Sequence, residues 1–160
     1  MTRIPALGPR GEGWVATQIL MLVLVAVLGA LQLPSAKAQS GGLAVIGAGV
    51  LLMSLGAWVV IRGVRSLGRS RTAMPYPRED ASLVTGGIYR TLRHPIYIGL
   101  IAMAVGWACI TLSSLALLAA VALAVVLDLK ARREEAWLST RYPEYSAYQA
   151  RTHRFIPGVY

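Results

Sequence analysis

The residues best suited to chemistry fall in two short polar segments. The first holds Tyr89, Arg93, His94 and Tyr97; the second holds Lys130, Arg133 and the adjacent pair Glu134 and Glu135. Polar groups converging at the mouth of apolar helices are what a binding site for an amphiphilic ligand needs. Glu134, Glu135 and His94 also have the basicity a general base needs. Successive helix positions diverge by about 100°, so the two glutamates are expected to face different partners rather than one small group. Each residue also has a plainer use. Lys130 and Glu134 stand at i,i+4, where a helix ion pair of about 0.2–0.5 kcal/mol would suffice to explain them. Tyr89, Tyr97, Tyr142, Tyr145 and Tyr148, taken singly, suit interfacial anchors.

The elements that must hold these segments are apolar. The 160-residue chain is 56% hydrophobic and 14% charged, against about 25% charged in a soluble domain. The deficit lies in long uncharged runs, which points to a bilayer and to a single membrane domain. A first run covers 14–33 and a second 41–61. The third, Ile96–Leu127, has no charge and no proline over 32 residues; as one helix it would reach about 48 Å, too long for a single crossing. Basic residues flank it on both sides, Arg90, Arg93 and His94 before and Lys130, Arg132 and Arg133 after. Basic flanks that stay on one side require an even number of crossings, so a tight hairpin near Thr111–Ser114 is expected. The fold class is then all-α integral membrane with four spans, 14–33, 41–61, 96–112 and 113–129. A cytoplasmic loop at 62–95 and a cytoplasmic amphipathic helix and tail at 130–160 complete it. The hairpin brings both polar segments to one face.

The same charge rule orients the chain. Arg3 and Arg10 precede the first span, only Lys37 lies in the following loop, and Arg62, Arg65, Arg69 and Arg71 follow the second. Both termini are therefore expected in the cytoplasm, in a bacterial inner membrane. The net charge of +9 reads as topology determinants and contacts to anionic lipids, since no basic patch is interleaved with aromatics outside the membrane flanks and no nucleic-acid partner is expected. Ala36-Lys37-Ala38 mimics a signal-peptidase site, but the apolar run before it exceeds a signal h-region, so the first span is expected to be retained. Gly47-Ala48-Gly49 follows no strand, and small residues there suit close helix packing better than a nucleotide fingerprint. The one cysteine, Cys109, excludes an intrachain disulfide and a cysteine-based metal cluster, and no metal is expected.

Pro95 biases His94 away from helix and can open the third span at its first turn, holding His94 at headgroup level. Gly99, one turn further, leaves room for a ligand or another helix. The block Gly87-Ile88-Tyr89-Arg90-x-x-Arg93-His94-Pro95-x-Tyr97-x-Gly99, a hairpin, and then Glu134-Glu135 with a tyrosine-rich tail resemble the isoprenylcysteine carboxyl methyltransferase and phospholipid methyltransferase superfamily. The likeness runs from about Leu83 to Pro157. It implies an integral-membrane enzyme that uses S-adenosylmethionine without a Rossmann domain, the cofactor lying between the Arg-His-Pro segment and the paired-glutamate helix. By position, the resemblance puts Tyr89, Arg93, His94, Pro95, Tyr97, Gly99, Glu134 and Glu135 at the cofactor. It makes Lys130, Arg133, Glu134 and Glu135 the catalytic candidates.

His94-Pro95 stands where phospholipid N-methylating relatives tend to have Asn-Pro, which favours carboxyl methylation of a lipophilic small molecule reaching the site from the bilayer. A carboxylate acceptor needs no general base; a thiol or amine would. Ile96 and Leu100 depart from the pattern of the membrane sterol reductases, so an NADPH-dependent reductase is the weaker reading, beside a non-catalytic membrane interaction protein. Tyr142-Pro143 replaces the family's usual Phe-Gly. Lys130 stands where eukaryotic carboxyl methyltransferases carry Arg, a different kind of carboxylate clamp.

Overall fold

The computed structural model describes residues 4–32, 40–70, 74, 76 and 82–156. Among them are five α-helices: α1 Glu12–Ala30, α2 Ser40–Leu67, α3 Pro95–Ile110, α4 Ser114–Arg141 and α5 Tyr145–Ala150. Single 3-10 turns cover Gly68–Ser70 and Gly87–Arg90. Three helices, α1, α2 and α4, are long and apolar enough to cross a membrane. The third, α3, has 16 residues, about 24 Å. Large apolar side chains such as Leu20, Leu43, Leu51, Leu118 and Val125 lie exposed on the long helices. That is the reverse of a water-soluble bundle and the expected surface against lipid.

The expected hairpin forms between α3 and α4. Leu112 takes the left-handed conformation (φ 51°), and Ser113 caps α4 by accepting from the Ala116 amide at 3.0 Å. The same hydroxyl donates to the Leu28 carbonyl at 3.2 Å, tying the turn to α1. Helix α1 packs along α4, and α2 packs along α3. Val25, Ala104, Ala119, Ala120, Leu123 and Leu127 form the buried core between α1, α3 and α4.

The α2–α3 seam is made of glycine. A Cβ on Gly49 would lie 2.7 Å from the Gly106 carbonyl, and one on Gly56 2.7 Å from the Gly99 carbonyl. Gly63, a further seven residues on, meets Ile96. Heptad-spaced glycines thus let two backbones touch. Of the Gly47-Ala48-Gly49 run only Gly49 serves this purpose; Gly47 faces open space.

Two boundaries differ from the sequence reading. Helix α2 continues past position 61 to Leu67, and α4 runs without a break through position 129 to Arg141. The charged stretch after Leu129 is thus the last turns of α4, not a separate amphipathic helix. No Gly or Pro interrupts it, so hydrogen bonding propagates. Among the described residues after Tyr142, the six-residue α5 and an irregular tail of turns and bends follow. Ala36-Lys37-Ala38, Arg71 and most of the loop up to Ser82 lie outside the described residues.

Candidate functional site

Pro95 opens α3 at its first turn, and the preceding His94 is non-helical (φ −127°, ψ 57°). The tail then docks beside it through an isolated parallel β-bridge between Leu92 and His153. The Arg93 amide donates to the His153 carbonyl at 2.8 Å, the His153 amide to Thr91 at 3.0 Å, and the His94 amide to Arg154 at 3.3 Å. Glu135 of α4 ties the junction together. Arg93 Nε donates to its Oε1 at 2.8 Å, Arg154 Nη2 to its Oε2 at 2.7 Å, His94 Nε2 lies 3.2 Å from Oε1, and Gln149 Nε2 3.2 Å from Oε2. Arg93 Nη1 donates onward to the Gln149 and Thr152 carbonyls. Burial works to raise the Glu135 carboxyl, but hydrogen bonds from His94, Arg154 and Arg93 outweigh it and hold the group well below the usual carboxylate range. Glu135 lies two turns beyond Leu127, where the uncharged part of α4 ends.

Glu134 points elsewhere. Tyr97 Oη donates to its Oε2 at 2.8 Å, while His94 Nδ1 stands 3.8 Å away, beyond hydrogen-bond range. Two cavities adjoin at this carboxylate, sharing Leu67, Tyr89, Arg93, His94 and Glu134 as lining. One, of about 90 Å³, runs under the tail and is faced by Tyr142, Tyr145 and Tyr148. The other, of about 220 Å³, lies between the helices and is faced by Gln18, Ile96, Tyr97 and Lys130. The Tyr145 side chain is 1% exposed, and its hydroxyl has no hydrogen-bond partner among the described residues. A buried unmet hydroxyl costs about 1–3 kcal/mol, so its presence on a cavity wall points to a polar ligand atom. Burial pushes the phenols of Tyr89 and Tyr145 up, with Glu134 adding to it at Tyr89 and Glu135 at Tyr145. Both therefore stay protonated donors.

A family model described as phospholipid methyltransferase matches residues 44–145, from α2 to the start of α5, and so carries both polar segments. The chain belongs to the phospholipid methyltransferase family. Two relatives match as well. The cobalt-zinc-cadmium resistance protein CzcN of Cupriavidus metallidurans is 36% identical over 68% of this chain and 50% of its own length. The nickel-cobalt-cadmium resistance protein NccN of Alcaligenes xylosoxydans xylosoxydans is 37% identical over 51% of this chain and 39% of its own length. The chain thus spans half or less of the relatives it matches.

Within this family member the residues singled out from sequence divide into three sets. Tyr89, Arg93, His94 and Glu134 line both cavities, and Tyr97 and Lys130 line the one between the helices. Pro95, Gly99 and Glu135 line neither; Pro95 sets the helix start, Glu135 anchors the tail, and Gly99 faces the Gly56 carbonyl and Val60, so its gap accepts another helix. Arg133 is also set apart, its guanidinium 4.2 Å from the Trp137 ring centroid. The two glutamates do diverge, yet both approach His94, because an imidazole carries nitrogens on opposite edges. Lys130 donates to Gln18 Oε1 at 2.6 Å. The tyrosines treated singly as anchors prove otherwise: Tyr89, Tyr145 and Tyr148 are buried in the site, and Tyr148 Oη donates to the Tyr89 carbonyl at 2.8 Å. Sequence reasoning missed Gln18, Gln149, Thr152 and Arg154. Of these only Gln18 carried a signal, as an amide side chain well inside an uncharged run.

Proposed function

We propose that the protein is an S-adenosylmethionine-dependent methyltransferase acting on a lipophilic substrate at the cytoplasmic face of a bacterial inner membrane, with both termini cytoplasmic. The acceptor group is a carboxylate, in line with His94-Pro95. The observation that carries this reading is Glu134, a carboxylate standing where two cavities adjoin. A transfer enzyme needs donor and acceptor to meet at one wall, and the five shared residues form one.

The tail-side cavity suits the donor. S-adenosylmethionine supplies an electrophilic methyl group and brings hydroxyls, an ammonium, a carboxylate and an adenine. Glu134 can accept from the donor's hydroxyls or ammonium. The buried Tyr145 hydroxyl awaits a polar partner, and Tyr89, Tyr142 and Tyr148 offer aromatic surface. Arg93 and Glu135 are engaged with each other and with the tail, so their part is to hold His94 and close the cavity against water. The relatives' printed names concern metal resistance. Among the described residues no group of three or more His, Cys, Asp or Glu side chains lies close enough to hold a metal, and nothing else favours a metal-binding reading.

The test is calorimetric titration of the detergent-purified protein with S-adenosylmethionine and S-adenosylhomocysteine, wild type beside Glu134→Gln. Binding by the wild type that the variant weakens supports the reading. Folded wild type that binds neither compound refutes it.

A further inference from the structure

Helix α2 has two faces with different partners. Gly49, Gly56 and Gly63 face α3. About 140° away around the helix stand Leu51, Leu55, Trp58, Arg62 and Arg65. All of these are exposed. The main helical partner of α2 is α3, so the stripe is turned to lipid. Its order follows that of a lipid molecule. Leu51 and Leu55 are aliphatic, Trp58 is 57% exposed, and the uncharged run ends at Ile61. An indole at such a border suits the ester level of a leaflet, and its N–H has no partner among the described residues. The Arg62 guanidinium lies 5.6 Å from the Trp58 ring centroid. It is thus held at the level of the indole instead of extending to water. Arg65 stands one turn further on. Neither arginine has an ion-pair partner among the described residues.

We infer that this stripe docks one anionic phospholipid of the leaflet on the side of the candidate site. Its acyl chain lies along Leu51 and Leu55, its ester region meets Trp58, and its phosphate is held by Arg62 and Arg65. A phosphodiester carries one negative charge and accepts the forked N–H groups of a guanidinium. A zwitterionic head brings an ammonium to the same two cations and gains less. The docking also bears on the site. Leu67, two residues beyond Arg65, walls both cavities, so a lipid that fixes the end of α2 fixes that wall. The inference does not depend on the methyltransferase reading.

The experiment reconstitutes the full chain in phosphatidylcholine and reads tryptophan emission. Phosphatidylglycerol with dibrominated acyl chains is added as quencher, or the equally brominated phosphatidylcholine. The Trp58 signal is the difference between each chain and its Trp58→Phe counterpart. Half-quenching is expected at about fivefold less brominated phosphatidylglycerol than brominated phosphatidylcholine. Arg62→Gln and Arg65→Gln should each lower that preference. The two together should abolish it and leave quenching itself intact, because the indole still faces lipid. Arg10→Gln, which removes a charge ahead of α1, should keep the full preference. Three results would overturn the inference: no quenching of Trp58 by either lipid, equal quenching by both in the wild type, or an equal loss in Arg10→Gln. The second would leave the arginines as plain anchors, and the third would replace a site with a diffuse surface field.

Discussion

The α2–α3 seam and the junction of α4 with the tail hold the same bundle together by opposite means. In the seam no side-chain hydrogen bond joins α2 to α3 among the described residues. Gly49, Gly56, Gly99 and Gly106 remove side chains so that backbones touch at distances a Cβ would not permit. In the junction a single carboxylate, Glu135, gathers donors from Arg93, His94, Gln149 and Arg154. Lipid explains the difference. Apolar surface gains nothing by leaving lipid for another helix, so within the bilayer the close fit itself must stabilise. Beyond Leu127 α4 carries charged side chains and meets the polar tail, and charge can be used if every partner is met. The proposed ligand-binding groups Glu134, His94 and Lys130 lie where the two regimes meet.

The largest effect should follow from removing the Glu135 charge. Glu135→Gln leaves two arginines and His94 around a neutral amide, and unpairing buried charges costs about 3–5 kcal/mol. The expected result is a lowered thermal midpoint in detergent and new tryptic cleavage at Arg151 and Arg154 as the tail detaches. Acid should imitate the variant. The folded carboxyl titrates below its ordinary value of 4.5, so its contribution is fully present above that pH and is lost as pH falls through the lower folded value. Tail cleavage in the wild type should therefore rise only on acidification below about 4.5, with an acid-tolerant protease as the probe, and Glu135→Gln should lack that rise. Equal protection of variant and wild type would remove the latch from the comparison.

Next in size is the seam. Gly56→Ala puts a methyl 2.7 Å from the Gly99 carbonyl and 3.0 Å from the Met103 amide. Overpacking of this kind costs about 1–3 kcal/mol. Gly47→Ala, in open space on the same helix, should be neutral or slightly stabilising through helix propensity. Thermal midpoints of the pair in detergent compare them directly. If both behave alike, backbone contact is not what joins α2 to α3.

Much of this division was legible in the sequence, and what was not has physical causes. Uncharged runs located the helices because hydrocarbon tolerates few alternatives. Basic flanks implied the hairpin, and Leu112 and Ser113 close it at the expected place. Arg93-His94-Pro95 and Glu134-Glu135 were visible as clustered polar residues at apolar ends. The partition of labour between the glutamates was not visible, since it depends on the rotation of α4 and on where the tail returns. Gly99 could have lined a ligand or a helix, and only the position of Gly56 across the seam decides. Arg154, Thr152 and Gln149 carry no local signal; they matter because the chain turns back after Ala150 to run beside Leu92. The end of α4 was misjudged because a change from apolar to charged residues marks the end of a span, not the end of a helix.

A smaller effect, and a sharper one, separates the two glutamates. Glu134→Gln removes a charge that lines both cavities, accepts from Tyr97 and stands 3.8 Å from His94 Nδ1, while leaving the Arg93, Arg154 and Gln149 bonds to Glu135 in place. The thermal midpoint should move little. Affinity for S-adenosylmethionine should fall by about tenfold, near 1.4 kcal/mol. Destabilisation as large as that of Glu135→Gln would mean that the pair acts as one structural unit.

The smallest effect has opposite signs with and without ligand. Tyr145→Phe deletes a buried hydroxyl that has no partner among the described residues and leaves the ring, which packs edge-on against Tyr148. Removing an unmet polar atom relieves its desolvation cost, so the ligand-free variant should melt at the wild-type temperature or slightly above. A ligand that meets the hydroxyl contributes about 0.5–1.5 kcal/mol through it, so the variant should bind S-adenosylmethionine several-fold more weakly. The two measurements together separate a binding residue from a packing one. A packing role would leave the affinity unchanged, and would place the donor away from the tyrosines of the tail.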